Sequence, residues 1–332
     1  MRAPAFWWRE QASGLARLLS PLGAIYGAVT ARRMSRSGVE SDVPVLCIGN
    51  FVAGGAGKTP AAIACAQVLA ASGERPMFLS RGYGGALSST TPLRVDPARH
   101  DAAMVGDEPL LLARVAPVFI CTDRVAGAKA AALAGASIVV MDDGLQNPAL
   151  AKVLSLAVVD GATGVGNGLC LPAGPLRAPL DGQLRAVEAV LIVGPGRAGD
   201  GVAAQVQAGG LPVFTGRLAP APDAVERLRG KAVFAFAGIG RPEKFFDTLR
   251  GCGARIVGRR AFADHHAYTQ GDLDSVSDAA RLSGAEIIVT TEKDACRLPV
   301  NATDFATLPV TLSFGDPAAI TAWLATIRAR RA

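Results

Sequence analysis

The sequence is poor in the residues that build several common kinds of protein. Histidine occurs 3 times in 332 residues, and aromatic residues make up 5%. The 6 cysteines, Cys47, Cys65, Cys121, Cys170, Cys252 and Cys296, lie far apart. That spacing excludes a CxxC metal knuckle, and in a chain this long it does not read as a disulfide scaffold. Several of them sit in apolar runs, where cysteine is a small hydrophobe, and a reducing compartment such as the cytosol fits. There is no internal repeat and no low-complexity tract. No apolar run approaches the roughly 20 residues of a membrane-spanning helix.

Excess charge is also lacking over most of the chain. The net charge is +6, but residues 1–36 hold six arginines (Arg2, Arg9, Arg17, Arg32, Arg33 and Arg36) against Glu10. The rest is near neutral, which argues against a nucleic-acid partner. The same basic segment carries FWW at 6–8 and the 12-residue apolar run LLSPLGAIYGAV at 18–29, interrupted by Pro21. It is not a clean signal peptide, because arginines follow the apolar part and no small-residue cleavage site closes it. Two readings stay open. The segment lies in a membrane interface, or it forms a helix packed on the protein's own core.

What the chain has is a series of short apolar runs alternating with helical stretches. VPVLCIGN (43–50), RPMFLS, APVFICTD, ASIVVMDDG and VLSLAVVDG read as buried strands. Strands alternating with helices predict a doubly wound, mostly parallel α/β sheet, whose ligands sit beyond the carboxyl ends of the strands. At about 150 residues per domain, two domains are expected. The expected division is an N-terminal interfacial helix at residues 1–36, a P-loop-like nucleotide-binding domain at 37–150 and a second, smaller α/β domain at 151–315. A C-terminal helix at 316–332 would pack back on the first domain, and the cleft between the domains would hold the site.

Four motifs carry chemistry. GNFVAGGAGKTP (49–60) ends a strand and opens a helix. Gly54, Gly55, Ala56 and Gly57 would let backbone N–H groups approach phosphate oxygens, Lys58 would reach the β- and γ-phosphates, and Thr59 would ligate Mg²⁺. Val52 stands where the full P-loop pattern has glycine, but Gly54 and Gly55 supply the same freedom. MDDGLQ (141–146) places Asp142 and Asp143 at a strand end, where a nucleotide-bound Mg²⁺ needs carboxylates. GDEPLLLA (106–113) puts Asp107 and Glu108 before a helix. ADHHAY (263–268) holds two of the three histidines, without the third ligand that zinc would need. A histidine paired with a carboxylate is instead a general base for a hydroxyl.

Taken in order along the chain, these stretches resemble the tetraacyldisaccharide 4'-kinases, the lipid A kinases of Gram-negative bacteria. Further matching stretches are SRGYGG, TDR (122–124), GNGLCLPAGPLRAPL (166–180), FAGIGRPEKFF (236–246) and TTEKDACRL (290–298). The resemblance implies transfer of the γ-phosphate of ATP to the 4'-hydroxyl of tetraacyldisaccharide 1-phosphate, giving lipid IVA. It implies a peripheral protein, read as a monomer, on the cytoplasmic face of the inner membrane. It also implies ATP and Mg²⁺ as cofactors, with Lys58, Thr59, Asp142 and Asp143 on phosphate and metal, assisted at the metal by Glu108. Asp107 would pair with His265, Gln146 and Arg124 would lie at the nucleotide, and Arg81 and Arg177 would neutralise phosphates of the substrates. The chain departs from the family at Leu145, where phenylalanine is common, at Asn147, often histidine, and at Ala178, usually an acid. The alternative is a nucleotide-switch ATPase of the deviant P-loop group, but Ala53 stands where that group has its signature lysine. A non-catalytic membrane-surface protein would leave the Lys58, Asp107 and Asp142 clusters unexplained.

Overall fold

A computed structural model of the chain describes residues 3–299, 302 and 304–330. Arg2 of the basic segment and the last two residues lie outside the described part. The strands are β1 (Val45–Gly49), β2 (Pro76–Ser80), β3 (Leu93–Arg94), β4 (Val118–Ile120), β5 (Ile138–Asp142), β6 (Leu154–Asp160), β7 (Ala189–Val193), β8 (Val213–Pro220), β9 (Ala232–Ala237), β10 (Arg255–Ala261), β11 (Ile287–Thr291), β12 (Phe305–Leu308) and β13 (Val310–Phe314). The helices are α1 (Gly14–Met34), α2 (Lys58–Ala71), α3 (Ala102–Val105), α4 (Asp107–Leu112), α5 (Arg124–Leu133), α6 (Leu180–Leu184), α7 (Arg197–Ala208), α8 (Pro222–Leu228), α9 (Pro242–Gly251), α10 (Gln270–Leu282), α11 (Glu292–Ala295) and α12 (Pro317–Ala329).

Nine strands form one sheet in the order β13-β8-β7-β6-β1-β5-β2-β4-β3. Only its two edge pairings, β13 with β8 and β3 with β4, are antiparallel. Strands β1, β2, β5, β6 and β7 are buried along their whole length. That is why they read as nearly continuous apolar runs: a parallel sheet is covered on both faces. Alternate residues of β1 serve the two layers. Leu46 and Ile48 join a core with α2, α4 and α12, while Val45 and Cys47 join one with α5 and α7. Four alanines and Cys65 on the buried side of α2 bring that helix close to the sheet. The chain runs from β1 towards β5 and β2 on one side and later places β6 on the other, so the order reverses at β1. Ligands bind at such a point, and the glycine loop leaves from there.

A smaller, fully parallel sheet has the order β10-β9-β11-β12. It carries its own cores, built around Phe245, Phe246 and Leu249 on one face and around Phe236, Tyr268 and Leu273 on the other. The expected boundary at residue 150 is corrected here. Strands β6, β7 and β8 continue the large sheet, because β6 pairs directly with β1 and β7 and β8 follow it in parallel. The smaller sheet belongs to the segment inserted between β8 and β13, which are themselves paired, Pro220 opposite Val310. Ile320, Trp323, Leu324 and Ile327 of α12 pack into the α2 side of the large core.

Helix α1 has two different faces. Ala16, Gly23 and Gly27 are buried, and a Cβ at Gly23 would lie 2.7 Å from the Cys170 carbonyl oxygen. The small residues thus press the helix onto the 166–180 loop. The other side exposes Leu15, Leu18, Leu22, Ile25, Tyr26 and Val29, spaced as one helical stripe. Among the described residues, no helix is long and apolar enough to cross a membrane.

Candidate active site

The large sheet brings the glycine loop and the acids to one edge. Gly54 and Gly57 have φ of 118° and 87°, a region that side chains rarely adopt. A Cβ at Gly54 or Gly55 would meet nothing within 4 Å, so the space above the loop is open. Backbone conformation, rather than crowding, calls for glycine at 54 and 57. The loop leads directly into the N-terminus of α2, where free N–H groups and the helix dipole favour an anion. Asn50 is fully buried beneath it; its Nδ2 donates to the Gly54 carbonyl at 2.9 Å, and its Oδ1 has no hydrogen-bond partner among the described residues. Lys58 Nζ lies 3.4 Å from the Gly54 carbonyl oxygen and 3.7 Å from Asp143 Oδ1, with its side chain 11% exposed. Thr59 stands in the first turn of α2.

The two acids after β5 have opposite environments. Asp143 receives both arms of Arg177, at 2.8 and 3.2 Å. Burial alone would raise its pKa, but Lys58 and Arg177 outweigh that and hold it below the ordinary range. Asp142 is buried, its Oδ1 has no hydrogen-bond partner among the described residues, and its pKa is pushed up to about 7 by burial and then by Glu108 and Asp143. A buried carboxylate short of counter-charge fits a divalent cation. Among the described residues, no three His, Cys, Asp or Glu side chains form a ready metal cage. Magnesium in nucleotide sites commonly takes one or two carboxylates plus phosphates and water, so the donors present fit it. Without a cation, the folded chain holds a proton on Asp142 that the unfolded chain, with an ordinary pKa of 3.8, has released. This carboxyl's contribution to stability therefore falls as pH rises from about 4 to about 7. Thermal melts of Asp142→Asn should lack that decline; an unchanged pH dependence would rule out this carboxyl as its source.

Gln146 and Arg177 tie the acid loop to the glycine loop. Gln146 Nε2 donates to the Asn50 carbonyl and to Gln183 Oε1, both at 2.8 Å, and its Oε1 accepts from Arg177 at 3.2 Å. Ala178, where the family usually has an acid, is fully buried, and its carbonyl accepts from Gln183. Arg124 lays Nη1 on the carbonyls of Ser80 and Cys121 and is 4% exposed, and its charge helps to lower the Asp143 pKa. Arg81 is exposed at the end of β2.

The second cluster joins the large body to the smaller one. Asp107 opens α4 and is 3% exposed. Its Oδ2 lies 3.1 Å from His265 Nδ1 and 3.1 Å from Arg297 Nε, and its Oδ1 accepts from the Glu108 amide at 2.8 Å. Lys293 Nζ stands 4.0 Å from Asp107 Oδ1 and 3.0 Å from Glu108 Oε1. Burial would raise the Asp107 pKa, but the His265 hydrogen bond and the charges of Lys293, His265 and Arg297 outweigh it and keep the group ionised. His265 is edge-on to Tyr83, with ring centroids 5.8 Å apart. His266 turns the other way, onto Asp272 and the Phe262 ring. Among the described residues, the non-glycine residues with positive φ are Asp143 (51°) and His265 (57°), both at this site. Such strain persists where the surroundings over-determine it.

The expected residues thus form two groups. Lys58, Asp142, Asp143, Gln146 and Arg177 gather at the glycine loop, and Asp107, Glu108 and His265 at the junction of the two bodies. The sequence reading assigned no role to Lys293, Arg297, Asn50 or Gln183. For Lys293 and Arg297 the available signal was EKDACR (292–297), where acids and bases follow an apolar strand through the short helix α11.

A doubly wound sheet with a phosphate-type loop at its reversal point, acids on the next strand and a carboxylate–histidine pair across a junction defines a P-loop phosphotransferase. The family model described as tetraacyldisaccharide-1-P 4'-kinase (LpxK) matches residues 15–328, and the chain belongs to that family. It is 55% identical to the tetraacyldisaccharide 4'-kinase of Methylobacterium sp. (strain 4-46), over 100% of this chain and 99% of the relative. To that of Nitrobacter winogradskyi it is 51% identical, over 98% and 97%. The fold matches the crystal structure of LpxK from Aquifex aeolicus in complex with ATP with a TM-score of 0.72, at 23% identity, over 94% of this chain and 99% of that one.

Proposed function

We propose that the protein transfers the γ-phosphate of Mg-ATP to the 4'-hydroxyl of tetraacyldisaccharide 1-phosphate, yielding lipid IVA in lipid A biosynthesis. The observation that carries this reading is the pairing of Asp107 with His265 at 3.1 Å, across 158 residues, beside an open phosphate loop. The loop amides of 54–57 and the α2 N-terminus receive the phosphates, and Lys58 exchanges its long contacts for phosphate oxygens. Asp142, with Asp143, Thr59 and Glu108 near it, would hold Mg²⁺, which supplies charge neutralisation as the phosphoryl group moves. The Asp107–His265 dyad orients the sugar hydroxyl and takes its proton. The hydroxyl oxygen forms the new bond to phosphorus as the bond to ADP breaks, and Lys58 meets the charge gathering on the transferred group. Arg177 and Arg81 would serve the substrates' phosphates. Arg124, buried on backbone carbonyls, shapes the wall behind them.

The domain arrangement fits this chemistry. The nucleotide loop belongs to the large sheet and His265 to the inserted body, so closure of the two bodies would complete the site and exclude water. The test is dependence on the acceptor. ATP turnover should rise strongly when tetraacyldisaccharide 1-phosphate is added in detergent micelles. Equal ATP hydrolysis with and without it would favour the nucleotide-switch reading.

The exposed stripe on α1, flanked by Arg9, Arg17, Arg32 and Arg33, fits a peripheral attachment to an anionic membrane surface, here the cytoplasmic face of the inner membrane. An amphiphilic substrate would be met there. Because the opposite face of α1 packs on the 166–180 loop, substitution is a cleaner test than deletion. Leu18→Ser, Leu22→Ser and Ile25→Ser together should release the protein from membranes and weaken activity on micellar substrate, with little change in melting. A triple variant that still sediments fully with membranes would contradict the attachment.

A further inference from the structure

The buried cation beside the dyad has a reach that the catalytic reading above leaves unused. Arg297 follows α11 and its side chain is 7% exposed. Its guanidinium makes contacts in several directions. Nε faces Asp107 Oδ2 at 3.1 Å and the Lys293 carbonyl at 3.3 Å. Nη1 donates to the His266 carbonyl at 3.0 Å. Nη2 donates to the Gly238 carbonyl at 3.1 Å and to Asp294 Oδ1 at 2.9 Å. The Gly238 carbonyl also accepts from the His265 amide at 3.0 Å. One planar group therefore touches the carboxylate of the dyad and, through two carbonyls, the loop that carries its histidine.

Its own anchor is equally fixed. Asp294 is fully buried and accepts from Tyr268 Oη at 2.7 Å, Thr291 Oγ1 at 2.6 Å and the Gly238 amide at 2.9 Å. A Cβ on Gly238 would fall 2.9 Å from Tyr268 Oη and 3.1 Å from Asp294 Oδ1, so the loop closes on this cluster only through glycine. His265 is held at a positive φ of 57°, a conformation uncommon outside glycine. Something must over-determine that conformation, and the Arg297–Asp294 cluster lies directly behind it.

We propose that Arg297 is the positioning residue of the Asp107–His265 dyad, its guanidinium fixing the carboxylate from one body and the histidine loop from the other in one rigid array. This rests on the reading of Asp107 and His265 as the dyad that activates the sugar hydroxyl. Arg297 does not touch the hydroxyl; it acts through the pair. Lysine cannot replace it, because a single ammonium lacks the planar fork that serves five acceptors at once. Arg297→Lys keeps the charge and removes the array.

The experiment is a double-variant cycle on the full-length protein, with steady-state transfer to tetraacyldisaccharide 1-phosphate as readout. Arg297→Lys should lower kcat roughly 10- to 100-fold, the scale of a misplaced reacting geometry. KM for ATP and for the lipid should stay within about twofold, since the loss is in the chemical step. In the double variant Arg297→Lys/His265→Ala, kcat should equal that of His265→Ala alone, because the array has no histidine left to position. A merely structural role would multiply the two losses or raise KM, and either result overturns the proposal, as does wild-type kcat in Arg297→Lys. If Arg297→Lys does not fold, as judged by melting, Asp294→Asn provides the same comparison, since it keeps the arginine and removes its counter-charge. A smaller kcat loss, again absent in the His265→Ala background, supports the assignment; multiplied losses overturn it. Full activity of His265→Ala would instead remove the dyad reading itself, a result distinct from failure of Arg297 alone.

Discussion

Replacement of Lys58 by alanine is expected to abolish nearly all phosphate transfer, with a fall in kcat of at least about 10³-fold, the scale on which preset charge-stabilising groups act. The ammonium is already in place over the loop, 11% exposed and held only at 3.4 and 3.7 Å by Gly54 and Asp143. Those distances are too long for strong hydrogen bonds, so the group is oriented but not consumed by its protein partners. Charge that gathers on the moving phosphoryl group meets it without reorganisation. The loss should appear in kcat, with KM for the lipid nearly unchanged, because Lys58 belongs to the nucleotide loop. Removing it also leaves Asp143 with Arg177 as its remaining ion-pair partner, so the loop should stay folded. Turnover within tenfold of wild type would overturn the assignment of 54–59 as a phosphate loop.

The second large effect is expected at the dyad, and there activity and stability separate. Asp107→Ala should slow turnover by roughly 10²- to 10⁴-fold, the usual contribution of a positioned base. It should also lower stability by about 3–5 kcal/mol, because a buried anion is taken from beside Arg297 and Lys293. His265→Ala should cost turnover on the same scale but little stability, since its side chain is 35% exposed and its ring touches Asp107 from the open side. ATP binding should survive in both. The double variant should be no slower than the worse single one, as groups acting as a unit are not additive. Steady-state kinetics beside thermal melts check each part. His266→Ala offers the contrast: its ring is turned onto Asp272 and Phe262, so a damaging His266→Ala with an active His265→Ala would refute the pairing.

Much of the nucleotide half was legible in the residues themselves. The run 43–50, the glycines at 54, 55 and 57 and the alanine-rich stretch after them predict strand, loop and helix, and the structure has β1 and α2 in those places. The acid pair at 142–143 was legible for the same reason, since it closes an apolar strand. The dyad was not a matter of local pattern. Asp107 and His265 belong to different sheets, and family resemblance suggested the pair before any distance did.

Other features were hidden by the physics of parallel sheets. The runs 154–160 and 189–193 are buried throughout and almost wholly apolar, so nothing in them says which sheet they join, and the expected boundary at 150 fell inside the large sheet. Arg124, placed at the nucleotide by the family resemblance, is buried with Nη1 on the carbonyls of Ser80 and Cys121, contacts that leave no mark in sequence. Glu108, given to the metal by the family resemblance, meets Lys293 from the other body and also lies near enough to Asp142 to raise its pKa, a placement that nothing in the sequence marks. Arg297 escaped notice because its partners are mostly backbone carbonyls, which leave no mark in sequence. Helix α1 kept both of its readings. Small residues pack one face on the protein, and the leucine stripe of the other is exposed.

The most direct measurement is transfer of label from ATP labelled at the γ-phosphate to tetraacyldisaccharide 1-phosphate in detergent micelles, with the lipid product resolved and the modified hydroxyl located. The account predicts label on the 4'-position of the lipid, lost in Lys58→Ala and strongly reduced in His265→Ala. ATP bound or hydrolysed with no label on the lipid would contradict it.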